Sequence, residues 1–434
     1  MPNVCFLGAG SGFTRPLSAD LMQVAELDGG EFRLVDIDAE RLKLSAAVVQ
    51  KIAEHFGNRW TVTATTDRRE ALPGSDYIVN CIEVSGVDTV RHDNDIPLKH
   101  GVSQCIGDTI GPGGLMKALR TVPVWLDVLR DCEELCPNAL VLNYTNPMNI
   151  MCLSAQRSTS MQVVGLCHSV QHTSQLLAKY AEVPYEELEW ECGGINHMAW
   201  FTKLRHQGRD LYPDLYRRVR DSKEMWEKDP VRFDIMLHFG GFVTESSGHM
   251  SEYVPYYRKR KELMDRYCRA EYLGEESFYA NSWPKWRAEC DEERRGILAG
   301  EKDLKTERSP EYASYIITAH VTDKPFVFYG NVANRGLIDN LPGDGCVEVP
   351  CVVNRSGFHP TRFGPLPPQM AALCRADMAM FDLAAKAAIE RSKEAAIHAL
   401  MVDPLTSAVC CPDEIRHMAE ELFEAEREFI PDFR

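Results

Sequence analysis

No stretch of this sequence approaches the roughly 18 consecutive apolar residues that a membrane-spanning helix needs. The fifteen cysteines form no CxxC pair and are odd in number, which is typical of a reduced protein rather than a disulfide framework. Lysine and arginine are outnumbered by acidic residues, 48 to 64, and the net charge is −16, whereas nucleic-acid surfaces need clustered lysine and arginine. The chain opens with a strand-like segment instead of the basic and apolar regions of a signal peptide. We therefore expect a cytoplasmic protein with neither membrane nor nucleic acid as a partner.

The first half of the chain alternates short apolar runs with helix-like segments. The runs end at glycine or polar residues, as buried parallel strands do, and they occupy positions 4–7, 32–35, 77–81, 140–143 and 163–166. This alternation predicts an α/β fold with a doubly wound parallel sheet, Rossmann-like and of the lactate-dehydrogenase type. We assign residues 1–195 to this domain and expect functional side chains at the carboxyl ends of its strands.

The character of the sequence changes near residue 196. Residues 205–310 are rich in charged residues, tryptophan and tyrosine, and they predict amphipathic helices. Turn-forming residues in 325–367 predict a few strands or hairpins, and the alanine-rich stretch 368–428 predicts helices. We therefore predict a C-terminal α+β domain over residues 196–434.

A glycine-rich segment follows the first predicted strand and consists of Gly8, Ala9, Gly10, Ser11, Gly12 and Phe13. Its first two glycines allow a tight turn and close approach to a pyrophosphate, whose charge the next helix's amino terminus would stabilise. The segment departs from the full dinucleotide fingerprint because Phe13 stands where the last glycine would be. Asp36 ends the second predicted strand, where a carboxylate bonds the ribose hydroxyls and favours NAD over NADP. The alternative is a glycine turn and a capping aspartate in an unrelated α/β fold.

Polar and metal-ligating side chains follow the later strand-like segments. Asn146 precedes Pro147, where its amide suits a substrate hydroxyl but is also typical of an ordinary turn. Cys167 and His168 follow the fifth apolar run, and His197 follows a glycine-rich turn. A thiolate and an imidazole are ligands for a borderline metal, although a single cysteine or histidine is often a buried structural residue. Beside a nucleotide loop, this pair favours a redox enzyme over a binding module.

Residues 245–257 combine polar groups with several tyrosines. Tyr253 could act as a general base if a nearby cation lowered its pKa from about 10. Aromatic packing around Pro255 explains the same residues without catalysis, and the residues alone favour that interpretation.

Taken together, these segments resemble glycoside hydrolase family 4, the NAD-dependent glycosidases. The resemblance covers nearly the whole chain and is carried by eight segments in order. They are GAGSGF at 8–13, VDID at 35–38, GDTIGPGGLMKALRTVP at 107–123, NYTNPMN at 143–149, GLCHSVQ at 165–171, GGINHMAW at 193–200, ESSGHMSEY at 245–253 and NLPGDGCVEVPC from residue 340 onward. CHSVQ and INHMA are similar to the α-galactosidase and α-glucosidase branch, which also contains enzymes that act on uronic acids.

This resemblance implies a redox-assisted elimination rather than the usual two-carboxylate hydrolysis, to which NAD-dependent glycosidases are an exception. In that chemistry NAD+ takes a hydride from C3 of the sugar, and a divalent metal, usually Mn2+, stabilises the resulting enediolate. A base removes the C2 proton, the C1–oxygen bond breaks, water adds, and the hydride is returned. NAD is therefore a catalyst, and no net oxidation occurs.

The resemblance also implies roles for individual residues. Cys167 and His197 match the metal ligands, and Asn146 matches a residue that contacts substrate hydroxyls near the metal. Tyr253 aligns best with the base, and two further tyrosines, Tyr256 and Tyr257, leave alternative registers open.

The general acid is not settled by the resemblance. The phosphosugar members carry an aspartate after the metal-binding cysteine, whereas this chain carries His168. That difference argues against a 6-phosphosugar substrate and leaves His168 and Asp108 as candidates for the acid.

Two alternatives follow from the residues. A 2-hydroxyacid or sugar dehydrogenase would explain the nucleotide loop but not Cys167, and a non-catalytic NAD sensor would not need a metal pair. Within the family, α-glucosides or α-galacturonides and glucuronides are alternatives to α-galactosides, the substrates we expect. The resemblance further implies a homodimer or homotetramer.

Overall fold

The computed structural model describes residues 1–57 and 59–434. The strands are β1 (Asn3–Leu7), β2 (Glu31–Val35), β3 (Thr61–Thr65), β4 (Tyr77–Asn80), β5 (Leu140–Asn143), β6 (Gln162–Leu166), β7 (Leu188–Ile195), β8 (Met198–His206), β9 (Arg209–Asp210), β10 (Phe242–Val243), β11 (Phe326–Ala333), β12 (Cys346–Asn354) and β13 (Gly357–Pro360).

The helices alternate with these strands in the first half and form long runs elsewhere. They are α1 (Thr14–Met22), α2 (Ala39–Phe56), α3 (Arg68–Ala71), α4 (Gly86–Lys99), α5 (Gly111–Leu135), α6 (Met148–Ser158), α7 (Ser169–Ala181), α8 (Tyr212–Asp221), α9 (Lys223–Glu227), α10 (Pro230–Phe239), α11 (Ser247–Tyr253), α12 (Lys261–Tyr267), α13 (Phe278–Ala299), α14 (Tyr312–Thr322), α15 (Pro368–Glu390), α16 (Lys393–Val402), α17 (Pro404–Val409) and α18 (Pro412–Ala425).

Six parallel strands form the first part of the sheet, in the order β3-β2-β1-β4-β5-β6. Strands β1, β4 and β5 are almost entirely buried because helices cover both faces, which explains their continuous apolar runs. The predicted doubly wound, Rossmann-like α/β fold is confirmed. The strand order reverses between β1 and β4, and a crevice opens at such a reversal beyond the carboxyl ends of the strands.

Antiparallel strands extend the same sheet beyond β6. Strand β11 pairs with β6, β12 pairs with β11 and β7, and β7 and β8 form a hairpin. The strands predicted within 325–367 are present, whereas the β7–β8 hairpin was not predicted. Because strands from both halves share one sheet, the proposed boundary between residues 195 and 196 stays a prediction.

The C-terminal stretch forms four helices, α15 to α18, as its alanine-rich composition predicted. The small residues of α15 are buried on several sides, and the helix packs against α5, α6 and α16. Close packing of this kind is possible because alanine lets neighbouring helices approach. No helix among residues 1–57 and 59–434 combines the length and apolar character required to cross a membrane.

Candidate active site

A cavity of about 1180 Å³ opens at the carboxyl ends of β1, β4, β5 and β6. This volume exceeds the roughly 300–1,000 Å³ typical of a drug-sized ligand and has room for a dinucleotide beside a small substrate. Most of the residues singled out from the sequence line it: Gly8, Gly10, Ser11, Gly12, Phe13, Asp36, Asp108, Asn146, Cys167, His168 and His197. The fold therefore brings the glycine loop and the metal-ligating pair to one cavity.

The glycine loop has space where a phosphate group would need it. Gly8 has a φ of +78°, and a Cβ atom there would collide with the carbonyl oxygen of Cys81. A Cβ atom on Gly12 would meet no described atom within 4 Å, so this part of the loop faces open space. Helix α1 begins directly after Phe13 and has no side-chain cap, which leaves its first N–H groups available to an anion.

Asp36 and two arginines hold the loop in place. The Asp36 carboxylate accepts a hydrogen bond from the Gly10 backbone N–H at 2.7 Å and still lines the cavity. Arg41 and Arg294 both donate to the Gly10 carbonyl oxygen, at 2.8 and 2.7 Å. Arg294 belongs to α13, so a helix of the second half also supports the loop. No pattern in the sequence connected these arginines with the loop.

Cys167, His197 and Glu245 form a cluster in the lining of the same cavity. The Cys167 Sγ atom is 3.5 Å from His197 Nε2, which is 3.7 Å from the Glu245 carboxylate. The three ligand atoms all lie within 4.8 Å of one another. A sulfur, a nitrogen and an oxygen donor form a set that suits a borderline divalent metal with further positions open to water or substrate.

Separate elements position these three side chains. Cys167 directly follows β6, His197 occupies the turn between β7 and β8, and Glu245 follows β10. His197 and Glu245 both have positive φ angles, of 64° and 76°, which L-residues adopt at some energetic cost. Two such residues in one cluster are consistent with a site whose geometry is maintained by the surrounding fold.

The electrostatics of the cluster favour an ionised carboxylate beside a neutral imidazole. Burial would raise the pKa of Glu245, but the charges of His249, His197 and other cationic groups outweigh it and lower the pKa to about 2. Burial lowers the pKa of His197 to about 4. Burial, reinforced by Glu245, raises the pKa of the Cys167 thiol. The imidazole is therefore already in the form that binds a metal, whereas the thiol must lose its proton on binding.

A row of polar groups leads away from the cluster. Asn146 donates to the Asp108 carboxylate at 3.2 Å. Lys117 lies 3.5 Å from Asp108 and 3.1 Å from Glu83, and its side chain is almost fully buried. Burial would lower the pKa of Lys117, but the two carboxylates outweigh it and raise the pKa. Asp108 is thus in contact with both a hydrogen-bond donor and a cation at the cavity wall.

His168 and Tyr253 lie in different surroundings. His168 lines the cavity with its Nδ1 atom 3.5 Å from the Glu311 carboxylate. Burial lowers its pKa, but the hydrogen bond to Glu311 and the charge of Glu245 outweigh this effect and raise the pKa above the ordinary value. Tyr253 does not line the cavity: it is buried, its ring lies 6.2 Å from that of His197, and burial raises its pKa.

The other two tyrosines of the segment also lie outside the cavity lining. The Tyr257 hydroxyl donates to Asp234 at 2.8 Å, and Tyr256 is partly exposed beside Phe239. Of the three tyrosines, Tyr253 is the one whose ring lies near His197. This proximity agrees with the register chosen from the sequence, although the role of Tyr253 as a base stays a prediction.

Two residues that the sequence reasoning did not assign now stand out. Glu245 completes the three-donor cluster, and Lys117 pairs with Asp108. Both stand inside segments that carried the resemblance, ESSGHMSEY and GDTIGPGGLMKALRTVP. Their segments were therefore visible in the sequence, but only the fold shows which of their many polar side chains face the cavity.

Comparison with known proteins agrees with this geometry. A family model described as "Family 4 glycosyl hydrolase" matches residues 3–183, and one for the family's C-terminal domain matches residues 192–406. An α-galactosidase of Bacillus subtilis (strain 168) is 38% identical over 439 residues, with 100% of both chains covered. An α-galactosidase of Rhizobium meliloti (strain 1021) is 36% identical over 99% of this chain and 89% of its own.

A solved structure shares the fold over the full length. It is a 6-phospho-α-glucosidase from gut microorganisms in complex with NAD and Mn2+, with a TM-score of 0.83, 22% identity and 100% of both chains covered. The family models together cover most of the sequence, and the relatives match from end to end. This chain therefore belongs to glycosyl hydrolase family 4 and is a glycoside hydrolase.

Proposed function

We propose that this enzyme is an NAD- and divalent-metal-dependent α-galactosidase. The observation that carries the proposal is the position of the Cys167–His197–Glu245 cluster in the same cavity as the glycine loop. An ordinary hydrolase needs neither feature, and a simple dehydrogenase does not need the cluster. The two similar α-galactosidases support the choice of sugar.

The chain has the residues to hold both groups. The loop at Gly8 to Phe13 would receive the pyrophosphate of NAD, and Asp36 would bond the ribose. Cys167, His197 and Glu245 would hold a divalent metal, Mn2+ in our proposal. Bound at the loop, NAD+ would supply a reversible hydride acceptor for the sugar, and a metal held by the three donors would supply positive charge to stabilise negative charge that develops on the sugar oxygens.

Asn146 and Asp108 would bind and orient the sugar beside the cluster. The Asn146 side chain donates a hydrogen bond and keeps its oxygen available to a substrate hydroxyl. Asp108, held by Asn146 and Lys117, is one candidate for the group that protonates the leaving oxygen. His168, the other candidate, has a raised pKa and lines the same cavity, which suits a general acid.

Tyr253 remains our proposed base for the C2 proton. Its ring lies near His197, but burial raises the pKa of its phenol. A buried phenol gives up its proton only beside a positive charge. The role therefore requires that a cation occupy the neighbouring cluster and that the phenol gain access to the substrate.

The charges around Asp108 support a neutral sugar. A uronic acid or a 6-phosphosugar brings extra negative charge, which proteins usually meet with an unpaired arginine or lysine. The ammonium group of Lys117, which contacts Asp108, is already matched by two carboxylates. Beside Asp108, a neutral α-galactoside is therefore a better fit than an α-galacturonide, and the cation that also lines the cavity without a carboxylate partner among the described residues, Arg287, belongs to α13.

A panel of nitrophenyl glycosides tests the proposal. The α-galactoside, α-glucoside, α-galacturonide and 6-phospho-α-glucoside are each incubated with enzyme, NAD+, Mn2+ and a thiol reductant. We expect the α-galactoside to be cleaved with the highest kcat/KM. A higher kcat/KM for the galacturonide or the phosphosugar would contradict the charge argument, and cleavage of none of them would contradict the proposed function.

A further inference from the structure

Four aromatic side chains within residues 272–286 line the same cavity as the glycine loop and the three-donor cluster. We call Tyr272, Tyr279, Trp283 and Trp286 the aromatic wall. Tyr272 stands in a short turn before α13, and the other three belong to the first turns of α13. Tyr272 is 43% exposed, which is unusual for a large ring inside a cavity that already holds apolar surface. None of the four has a role in the proposed chemistry.

The rings of the wall are arranged to extend the site outward from the cluster. Tyr272 is parallel to His249 within 4°, with ring centroids 6.4 Å apart, and parallel to Trp286 within 9°, at 6.0 Å. The His249 ring lies 4.8 Å from that of His197. Tyr272 is therefore separated from the proposed metal ligands by a single intervening ring.

The other end of the wall meets the polar row. Trp283 stacks on Tyr279 at 5.3 Å and lies 5.4 Å from the Lys117 ammonium group. Lys117 in turn contacts Asp108, a candidate acid for the leaving oxygen. The wall therefore meets His249 through Tyr272 and Lys117 through Trp283, and both of these residues are next to groups that would hold the galactosyl unit.

Aromatic faces suit one class of ligand in this position. The negative face of an aromatic ring attracts weakly positive C–H groups, and a pyranose presents such groups on one face while its hydroxyls point outward. A contiguous aromatic surface in a cavity is typical of a binding site rather than of ordinary protein surface. The four side chains themselves are uncharged. Of the cations beside them, Lys117 is paired with two carboxylates, and Arg287 follows Trp286 in the cavity lining.

We propose that the aromatic wall binds the leaving group, and that this leaving group is a neutral sugar. The natural substrate would then be an α-galactosyl oligosaccharide instead of a small alkyl galactoside. This inference rests on the proposed function, because it places the galactosyl unit beside the cluster. The competing occupant is the nicotinamide or adenine ring of NAD, which also stacks on aromatic side chains.

Tyr272 offers the sharpest test because it is exposed and its ring lies next to that of His249, beside the three-donor cluster. We compare wild type with Tyr272→Ala and Tyr272→Phe at saturating NAD+ and Mn2+. The substrates are an α-galactosyl-glucose disaccharide and methyl α-galactoside, which lacks a second ring. Tyr185→Ala is the matched control, since Tyr185 is similarly exposed at 37% and does not line the cavity.

We expect Tyr272→Ala to lower kcat/KM for the disaccharide about tenfold, mainly through KM, because one aromatic stacking contact is lost. The same variant should change kcat/KM for methyl α-galactoside less than about twofold, and Tyr272→Phe should retain the wild-type preference. Equal losses on both substrates, or no loss on either, would overturn the proposal. A raised KM for NAD+ in Tyr272→Ala would instead assign the wall to the cofactor.

A binding measurement separates this inference from the proposed function. Quenching of tryptophan fluorescence reports disaccharide and galactose binding without turnover, since two of the wall residues are tryptophans. If wild type cleaves no α-galactoside, the proposed function fails, whereas the wall is still supported by tighter binding of the disaccharide than of galactose. If the disaccharide binds no more tightly than galactose, or neither binds, the wall is not a sugar subsite.

Discussion

The carboxylate of Glu252 accepts a hydrogen bond from the backbone N–H of Ile106 at 2.6 Å. The same carboxylate accepts from the N–H groups of Cys105 and Gly107, so it binds three successive amides of one loop. That loop leads directly into Asp108. Glu252 itself belongs to α11, which also carries His249. One buried carboxylate therefore connects the helix beside the metal cluster to the candidate acid.

We predict that Glu252→Gln lowers both stability and activity. The amide keeps the shape of the side chain but loses the charge-assisted hydrogen bonds and turns an N–H group towards backbone donors, at a cost of about 2 kcal/mol. Urea unfolding measures the free energy, and kcat/KM for the nitrophenyl α-galactoside measures the effect on Asp108. Glu262→Gln, at an exposed position on α12, is the control and should behave as wild type. Unchanged stability in Glu252→Gln would contradict the anchoring role.

If the three-donor cluster binds the metal, substitution of its residues should lower the affinity for Mn2+. Cys167→Ser and Glu245→Gln each replace a charged donor by a weaker neutral one, so Mn2+ should bind at least about tenfold more weakly. Cys290→Ser is the control, because Cys290 lines the same cavity without joining the cluster. Calorimetric titration with Mn2+ at saturating NAD+ gives the affinities. Wild-type Mn2+ affinity in both cluster variants would remove these residues from the metal site.

Two glycines of the loop differ in how much space they leave for an alanine side chain, so we expect Gly8→Ala to disturb the loop and Gly12→Ala to leave it in place. Gly8→Ala places a Cβ atom against the Cys81 carbonyl at a φ of +78°, so the loop must move, and we expect NAD+ affinity to fall at least about tenfold. Gly12→Ala meets no described atom within 4 Å and should leave the melting temperature unchanged. Calorimetry with NAD+ and a thermal melt measure the two properties. Wild-type NAD+ binding by Gly8→Ala would contradict the assignment of the loop.

We expect Asp403, which does not line the cavity, to make the free energy of unfolding depend on pH. Burial raises its pKa to about 6, and the charge of Glu252 adds to this effect. Asp377 is also buried. Burial raises its pKa, and the negative charge of Asp403 raises it further. The Asp403 carboxylate accepts a hydrogen bond from the Thr406 N–H at 2.8 Å and so caps α17.

The sign of the pH effect follows from the raised pKa. Between the unfolded value near 3.8 and the folded value of about 6, the native state binds more protons, so the free energy of unfolding falls as pH rises. The asparagine introduced by Asp403→Asn would still cap the helix but cannot ionise.

We therefore expect Asp403→Asn to gain about 2–3 kcal/mol relative to wild type as the pH rises from about 4 to about 7. Urea unfolding at several pH values measures this difference. The exposed Asp344→Asn is the control and should give a difference that does not change with pH. A flat difference for Asp403→Asn would show that Asp403 is not kept neutral in the native state.

The sequence predicted the elements that have strong local patterns. Strands β1, β2, β4, β5 and β6 are short apolar runs that end at glycine or polar residues, so their positions and the parallel sheet followed. Strand β3 was missed because its residues, TVTAT, are polar and largely exposed at the sheet edge. Buried strands leave a clear hydrophobic signal, whereas a polar edge strand does not.

The parts of the site that the sequence could not predict depend on contacts between residues far apart in the chain. Cys167 and His197 were selected as a metal pair, but Glu245, two residues after β10, joins them only because β10 pairs with β8. Arg294 reaches the Gly10 carbonyl from α13, far along the chain. Neither contact has a local sequence pattern, since both depend on how distant elements pack.

The central claim is that NAD+ and a divalent metal together enable cleavage without net oxidation. One experiment follows nitrophenol release and NADH absorbance in the same cuvette, with nitrophenyl α-galactoside as substrate. NAD+ and Mn2+ are supplied together, singly or not at all to enzyme first freed of both. We predict release only when both are present, with no lasting accumulation of NADH. Release in the absence of NAD+ or metal, or NADH that rises steadily with product, would contradict this claim.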